Sequence, residues 1–126
     1  MILGMGIDAV EIERFESWTR FNRKQLSRIF SEHEIDYCFS VPAKMAERLA
    51  ARFAAKEAFF KALSTAVPGQ ALSLLTICRH VRVVRGINGA PVFQADWQSL
   101  GLDDYTVHVS ISHSRMIVVA VAIFER

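Results

Sequence analysis

The sequence is poor in cysteine, with only Cys38 and Cys78 among its 126 residues. These two residues lie far apart and fit neither a CxxC motif nor a Cys/His metal spacing, so we expect neither a zinc site nor a disulfide framework. Two buried, reduced thiols are typical of a cytoplasmic protein. Repeats, linkers and low-complexity segments are also missing. We therefore expect a folded, cytoplasmic protein without a cysteine-bound metal.

An excess of charge of one sign is missing as well, because 15 basic and 13 acidic side chains leave a formal net charge of only +2. Such a balance does not draw a protein toward nucleic acid or a membrane surface. The apolar tail IVVAVAIF, at 117–124, is far shorter than the stretch of about 20 residues that a membrane-spanning helix needs. Asp8 interrupts the apolar N-terminal stretch where the core of a signal peptide would continue. We expect a soluble, intracellular protein that binds neither a membrane nor nucleic acid.

Hydrophobic residues are abundant and make up 52% of the chain. A chain of this length and composition is expected to form a single domain, 1–126, that buries about two thirds of its unfolded surface. Apolar periodicity and turn signals divide the chain into predicted elements. In chain order these are a buried strand at 2–10, polar and exposed helical structure at 11–39, a long helix at 42–63, a strand at 80–85, a hairpin turn at 88–89, a short helix at 94–100, and strands at 108–112 and 117–124. They predict an α+β fold, in which one long helix and shorter helices pack on a small, mostly antiparallel sheet.

Local signals fix several of these boundaries. Ser31 and Glu34 form the capping-box pattern that begins a helix. Pro42 suits the first turn of the long helix. The dipeptide Asn88-Gly89 is a strong signal for a tight turn between two antiparallel strands. Capping and turn signals therefore support the boundaries of the predicted elements, in addition to the apolar periodicity.

Charged residues lie beside the apolar stripe of the long helix. Glu57 and Lys61 fall on a neighbouring face made of alanines, where they are either an ordinary i, i+4 ion pair worth about 0.2–0.5 kcal/mol or part of an enclosed site. Asp8 lies in an apolar strand, where an unpaired carboxylate is costly. Its partner is either the ammonium of Lys61 or Lys56, or a divalent ion shared with Glu57. Mg²⁺ is a cation that suits two carboxylates with spare positions for water and phosphate.

Three segments carry a resemblance to a known family. They are GMGIDAVEIER at 4–14, RFAAKEAFFKAL at 52–63 and HVSISHS at 108–114. In this order and spacing, they are similar to the holo-acyl-carrier-protein synthase group of the 4′-phosphopantetheinyl transferases. The match spans nearly the whole chain. It implies the 4′-phosphopantetheinyl transferase fold, in homotrimers with active sites between protomers.

The resemblance implies a phosphoryl-transfer reaction. Coenzyme A donates its 4′-phosphopantetheine group to a serine of an apo acyl carrier protein, and adenosine 3′,5′-bisphosphate is released. Asp8 and Glu57 match the family's Mg²⁺ ligands, and Lys61 matches its phosphate-binding lysine. Glu57, or a water molecule that it orients, is the expected base for the carrier serine. These three residues are the expected catalytic group.

Further contacts with coenzyme A are implied for two histidines and two helix residues. His113 would reach a phosphate from the adjoining protomer, and Arg52 and Lys56 are expected to bind the same substrate. For His108 there are two alternatives, a coenzyme A contact or a strand histidine held by a cross-strand neighbour. Helical periodicity, however, places Arg52 on the outer side of the long helix.

Two short segments depart from the family pattern. Residues 64–66 read Ser-Thr-Ala where members commonly carry a Gly-Thr-Gly turn, so the freedom that glycine gives the backbone is missing. The hairpin at 88–91 reads Asn-Gly-Ala-Pro and lacks a lysine. Both changes affect expected binding contacts with coenzyme A and not the residues expected at the metal or the transferred phosphate.

The segment after the first strand is expected to dock the carrier protein. Carrier proteins are acidic and helical, so interleaved basic and aromatic side chains would supply both steering and an apolar anchor. The expected docking residues are Arg14, Trp18, Phe21, Arg23 and Lys24. A solvated helix face is the alternative for this segment. For the whole protein, the alternatives are a non-catalytic trimeric module that binds carrier proteins or coenzyme A, and an RNA-binding domain, for which the aromatic pattern on a sheet is absent.

Overall fold

The computed structural model describes residues 1–126. Its elements, in chain order, are β1 (Ile2–Glu11), 3₁₀ helices at Ile12–Phe15 and Ser17–Arg20, α1 (Arg23–Leu26), α2 (Glu32–Phe39), a 3₁₀ helix at Pro42–Lys44, α3 (Met45–Ala66), α4 (Leu74–His80), β2 (Arg82–Arg85), β3 (Pro91–Gln94), β4 (Thr106–His113) and β5 (Ile117–Glu125). The predicted α+β class is confirmed. None of the helices combines the length and the hydropathy that crossing a bilayer requires.

The strands form two antiparallel sheets, one with the order β1-β5-β4 and one made of the β2-β3 hairpin. The helix α3 packs against β1 and β5. Every second residue of β5, from Val118 to Phe124, is buried. The opposite face of this sheet carries Met5 and Ile7, which are 58% and 60% exposed. The strand β1, which was predicted to be buried, is therefore buried on one face only.

Glycines in β1 allow this strand to lie directly on α3. A Cβ atom added to Gly6 would lie 2.1 Å from the carbonyl oxygen of Ala58, and one added to Gly4 would lie 2.4 Å from that of Ala62. Real Cβ atoms do not approach a backbone oxygen so closely, so only glycine fits at these two positions. Asp8 follows on the same face of the strand and is therefore carried to the surface of α3.

The segment between β1 and α3 contains the predicted capping box but not the predicted exposed surface. Ser31 caps α2 and exchanges hydrogen bonds with Glu34, as expected. Phe15, Leu26 and Phe30 are buried in the core, however. This correction arises because the segment is broken into short helices, whose turns direct apolar side chains inward at irregular spacing.

The second half differs from the prediction in two places. The helix α4 was not predicted, although Ser73 caps it by accepting a hydrogen bond from the backbone N–H of Thr76. The short helix predicted at 94–100 is wrong. Its first residue ends β3, and the rest forms turns in which Asp96 accepts a hydrogen bond from the backbone N–H of Ser99. The strands and the Asn-Gly hairpin are confirmed.

A buried ion pair joins the helices to the small hairpin. The ammonium group of Lys56 lies 2.7 Å from Glu34 Oε1, and both side chains are 0% exposed. Lys56 also donates to the carbonyl oxygens of Ile29 and Cys78, while Glu34 Oε2 accepts from the backbone N–H of Val83. Breaking such a pair typically costs about 3–5 kcal/mol, because one charge is left buried without a partner. The pair therefore fixes α3 relative to α2, α4 and β2.

Candidate active site

The structure brings Asp8 of β1 together with Lys61 of α3. Lys61 Nζ lies 3.0 Å from Asp8 Oδ1 and also donates to the carbonyl oxygen of Ile7, at 3.1 Å. The Asp8 side chain is 14% exposed and that of Lys61 is 49% exposed. Of the alternatives for Asp8, the structure thus contains the pair with Lys61. We call Asp8, Glu57 and Lys61 the acidic centre.

Glu57 is close enough to Asp8 for the two carboxylates to influence each other. Partial burial raises the pKa of Glu57, and the negative charge of Asp8 raises it further. The positive charges of Lys61 and Arg14 act in the opposite direction. Because the upward effects are larger, Glu57 holds a proton more readily than a solvent-exposed glutamate. A carboxylate with a raised pKa is suited to accept a proton during a reaction.

The donor set of the acidic centre fits a divalent cation. Asp8 Oδ2 is buried and has no hydrogen-bond partner. A buried carboxylate oxygen of this kind needs a positive charge or a donor. No group of three or more Asp, Glu, His or Cys side chains is arranged to hold a metal. The chain therefore offers two carboxylates, and a hard cation such as Mg²⁺ would take its remaining ligands from water and from a substrate.

A second cluster lies at the other end of α3, and we call it the basic pocket. It is lined by Tyr37, Lys44, Glu47, Arg48, Ala51, Arg52, Arg85 and His113. Guanidinium groups of Arg48, Arg52 and Arg85 lie 4.1, 4.2 and 5.7 Å from the centre of the Tyr37 ring. Neither Arg52 nor Arg85 has a carboxylate partner. This concentration of positive charge suits an anion such as a phosphate.

Arg52 corrects a prediction made from helical periodicity. Periodicity predicts that Arg52 lies on the outer side of the helix, but the residue is only 8% exposed. The side chain is covered because it packs over the ring of Tyr37, which α2 brings to this face. Its Nε atom is buried without a hydrogen-bond partner. An unpartnered guanidinium donor that lines a pocket is a further indication that this pocket binds an anion.

The two histidines lie on opposite faces of β4. His113 faces α3 and lines the basic pocket, where its Nδ1 atom lies 2.6 Å from Glu47 Oε1. His108 faces the other side of the sheet, and its Nε2 atom lies 3.1 Å from Glu125 Oε1. Glu125 is on the adjacent strand β5, so His108 has the cross-strand neighbour that was one of its two alternatives.

Lys56 does not belong to either cluster, which corrects the expectation that it binds coenzyme A. Its ammonium group is fully buried and makes hydrogen bonds to Glu34 and to the carbonyl oxygens of Ile29 and Cys78. Three partners use all three donors of an ammonium group, so none is left for a ligand. Lys56 and Glu57 are neighbours in the sequence, but the helix directs one inward and the other to the surface.

The expected docking residues differ in their contacts. Arg14 packs over the rings of Phe15 and Phe53, both at 5.5 Å. Trp18 lies within the same aromatic cluster, and Phe21 stacks on it with ring centres 5.7 Å apart.

The two remaining docking residues differ in their partners. Arg23 is held by Glu32 and Asp36, so its charge is compensated within the chain. Lys24 is exposed and has no acidic partner. Arg14 and Lys24 are therefore better placed than Arg23 to meet an acidic partner.

The acidic centre and the basic pocket occupy different sides of α3. Glu47 and Glu57 are ten residues apart, which corresponds to about 15 Å along a helix. Arg52 and Glu57 are five residues apart, which corresponds to a rotation of about 140° around the axis. Sequence reasoning missed Tyr37, Glu47 and Arg85 in the basic pocket, because each comes from a different element and no short motif connects them.

Comparison with known proteins gives consistent results. A model of the 4′-phosphopantetheinyl transferase superfamily matches residues 4–110. The holo-[acyl-carrier-protein] synthase of Geobacillus sp. strain WCH70 is 39% identical over 127 residues, covering 100% of this chain and 98% of that protein. The family resemblance seen in the three segments is confirmed.

Solved structures agree with the sequence comparison. The holo-(acyl-carrier-protein) synthase from Bacillus anthracis, in complex with CoA (3′,5′-ADP), has a TM-score of 0.75 and 30% identity, covering 98% of this chain and 96% of that chain. The ACPS-CoA complex from Chronobacterium ammoniagenes has a TM-score of 0.80 and 25% identity, covering 97% and 96%. The similarity of fold therefore extends over essentially the whole length of both chains.

The coupling between the two carboxylates can be measured directly. Asp8→Asn should lower the pKa of Glu57, because it removes a neighbouring negative charge. Arg14→Gln should raise the same pKa, because it removes a positive charge. Side-chain carboxyl titration by NMR, in metal-free buffer, measures both shifts. Identical titration of Glu57 in the two variants would show that it is not coupled to the acidic centre.

Proposed function

Because this chain belongs to the 4′-phosphopantetheinyl transferase superfamily, we propose that it transfers the 4′-phosphopantetheine group from coenzyme A to a serine of an apo acyl carrier protein. Adenosine 3′,5′-bisphosphate is the other product. The observation that carries the proposal is the acidic centre, in which two carboxylates and an ammonium group from distant segments converge. Attack of a serine hydroxyl on a diphosphate requires this combination, since the diphosphate brings negative charge and the hydroxyl must lose its proton.

Each residue of the acidic centre has a distinct role in the proposed reaction. Lys61, which pairs with Asp8 in the free chain, binds a phosphate oxygen of coenzyme A. This would free Asp8 to act as a ligand of a cation. Asp8 and Glu57 would hold a Mg²⁺ ion, which would neutralise charge on the diphosphate. Glu57, directly or through a water molecule, accepts the proton of the carrier serine. The serine oxygen forms a bond to the phosphorus atom while the bond from phosphorus to the bridging oxygen breaks, and adenosine 3′,5′-bisphosphate leaves.

The basic pocket is proposed to hold the nucleotide end of coenzyme A. Arg52 supplies an unpartnered donor there, and His113 supplies an imidazole beside it. Arg85 stands on β2, just before the hairpin that lacks a lysine in this sequence. A guanidinium at this position provides a positive charge close to the place where that lysine would stand.

We further propose that the protein is a homotrimer in which one protomer's basic pocket serves another protomer's acidic centre. The position of the two clusters on different sides of α3 supports this, because one extended substrate does not easily reach around a helix. The exposed face of the three-stranded sheet also supports it, since Met5 and Ile7 of β1 lie beside Ile123 and Val121 of β5. An apolar face of this kind commonly becomes an interface between copies.

The carrier protein is proposed to dock beside the acidic centre. Arg14 links the two regions, because it packs on the aromatic cluster and its charge acts on Glu57. An acidic carrier helix held by Arg14 and Lys24 would place its serine next to Glu57. We also propose that the protein acts in the cytoplasm, since Cys38 and Cys78 are both free and burial raises their pKa to about 11.

Mass spectrometry of the carrier protein tests the reaction itself. An apo carrier incubated with this protein, coenzyme A and Mg²⁺ should gain one phosphopantetheine group. Asp8→Ala and Glu57→Gln should each lower kcat by about 10² or more, whereas Asp104→Ala, which removes an exposed carboxylate elsewhere, should not. If several fatty-acid and polyketide carriers remain unmodified, the non-catalytic binding module becomes the better interpretation. If both variants fail to fold, the acidic centre is structural.

Mixed oligomers test the shared site. Asp8→Ala disables the acidic centre, and His113→Ala/Arg85→Ala disables the basic pocket. When the two inactive chains are co-expressed in equal amounts, about one quarter of the sites in random trimers should combine two intact halves. Purification through a different tag on each chain removes the unmixed trimers. Every mixed trimer has one intact site of three, so activity near about one third of wild type is expected. Activity no higher than that of the single variants would place each site within one protomer.

Three matched charge changes test the docking surface. Arg14→Gln and Lys24→Gln should each raise KM for the carrier by about threefold or more, with a smaller effect on KM for coenzyme A. Arg23→Gln removes the same charge but should have less effect, because Glu32 and Asp36 already compensate it. Steady-state kinetics with varied carrier concentration gives these values. Equal effects of all three changes would argue for long-range attraction instead of a defined docking surface.

A further inference from the structure

The basic pocket contains one carboxylate, and that carboxylate has an unexpected partner. Glu47 shares the pocket with Lys44, Arg48, Arg52 and Arg85. It forms an ion pair with none of these permanently charged side chains. Its Oε1 atom instead lies 2.6 Å from Nδ1 of His113. The carboxylate of Glu47 thus contacts the imidazole, although permanently charged lysine and arginine side chains line the same pocket.

The contact leaves the other side of the imidazole available. His113 is 55% exposed and Glu47 is 28% exposed at their side chains, so the pair is open to a ligand on the histidine side. Nε2 of His113 has no hydrogen-bond partner within the chain. A carboxylate on one nitrogen of a histidine fixes the tautomer and the orientation of the ring, and thereby determines what the other nitrogen presents.

A carboxylate in an anion-binding pocket needs a physical reason. By itself, the negative charge of Glu47 repels a phosphate and lowers its affinity. An imidazole, however, donates from both nitrogens only when it carries a positive charge. Lys44, Arg48, Arg52 and Arg85 all disfavour a further cation in this pocket. Glu47 is the group that can compensate for such a cation at His113.

We propose that Glu47 is a positioning residue that makes His113 a phosphate-binding group. The carboxylate of Glu47, in ion-pair contact with Nδ1, holds the ring in place and directs Nε2–H toward a phosphate of the nucleotide. This inference rests on the proposed function, because the nucleotide is the adenosine 3′,5′-bisphosphate part of coenzyme A. It assigns a role to a residue that does not itself touch the substrate.

Binding of adenosine 3′,5′-bisphosphate, measured by calorimetry without turnover, tests the inference. His113→Ala and Glu47→Ala should each weaken binding by about tenfold, and the double variant should be no weaker than His113→Ala alone. Glu47→Gln keeps a hydrogen-bond acceptor but loses the charge, so its affinity should fall between those of wild type and Glu47→Ala. Asp104→Ala removes an exposed carboxylate outside the pocket and should bind as wild type does.

A spectroscopic measurement separates positioning from general stability. The ¹⁵N chemical shifts of the His113 ring should show both nitrogens protonated in the wild-type protein with bound nucleotide, and this signature should be lost in Glu47→Ala. A merely structural role would change the melting temperature but not this signature. In kinetics, Glu47→Ala should raise KM for coenzyme A more than it lowers kcat.

The outcomes distinguish this inference from the proposed function. If Glu47→Ala binds the nucleotide more tightly, or if the losses in the double variant add, Glu47 does not act through His113 and the inference fails. That result would leave the proposed transferase function standing. If the nucleotide binds as expected but no carrier is modified, the inference stands and the proposed reaction fails. If wild-type protein does not bind the nucleotide, the assignment of the basic pocket and this inference both fail.

Discussion

The contact between β1 and α3 is the constraint on which the candidate site depends. At Gly4 and Gly6 the strand lies against the carbonyl oxygens of α3, at distances that exclude any side chain. Alanines on the helix provide the matching surface, since Ala58 and Ala62 are fully buried. The same close approach carries Asp8 onto the helix beside Lys61. A larger residue in β1 would therefore act on the acidic centre through the position of the strand, without touching the centre itself.

The middle of α3 combines a rigid inner side with a reactive outer side. Lys56 points inward and uses all of its donors on Glu34 and two carbonyl groups. Glu57, the next residue, points outward, and its charge is opposed by partial burial and by Asp8. Opposed charge of this kind costs stability, and it persists only where the surrounding structure is held firmly. The buried pair fixes α3 relative to α2, α4 and β2, and the glycine contacts of β1 hold Asp8 against the same helix.

Much of the fold could be predicted from the sequence, because its strands and its long helix have clear apolar periods. The failures occur where a side-chain hydrogen bond overrides that pattern or where an element is too short to show one. Asp96 bonds to the backbone N–H of Ser99, which stabilises turns where a helix was predicted. The helix α4 was missed because its seven residues are too few to establish a period. Segments of this length are decided by packing against the rest of the protein.

The candidate site was predictable only where a motif carried it. Asp8, Glu57 and Lys61 belong to segments that resemble a known family, and the structure brings Asp8 and Lys61 into contact. Lys56 and Arg52 are different, since their surroundings come from residues far away in the sequence. The burial of Lys56 depends on Glu34, and that of Arg52 depends on Tyr37. A single sequence without an alignment does not reveal such long-range partners.

The two buried side-chain atoms without a partner have opposite character, and this links function to assembly. Asp8 Oδ2 is an acceptor that needs a positive charge, and Arg52 Nε is a donor that needs a negative one. In the proposed reaction, coenzyme A bound with a divalent cation would satisfy both, with the cation beside Asp8 and a phosphate beside Arg52. The two atoms lie on different sides of α3, however, so one molecule of substrate is better matched to the acidic centre of one chain and the basic pocket of another. The exposed apolar face of the sheet provides a surface on which two chains could meet in this way. On this view, the unsatisfied atoms of the single chain are the parts of a site that only the assembled protein completes.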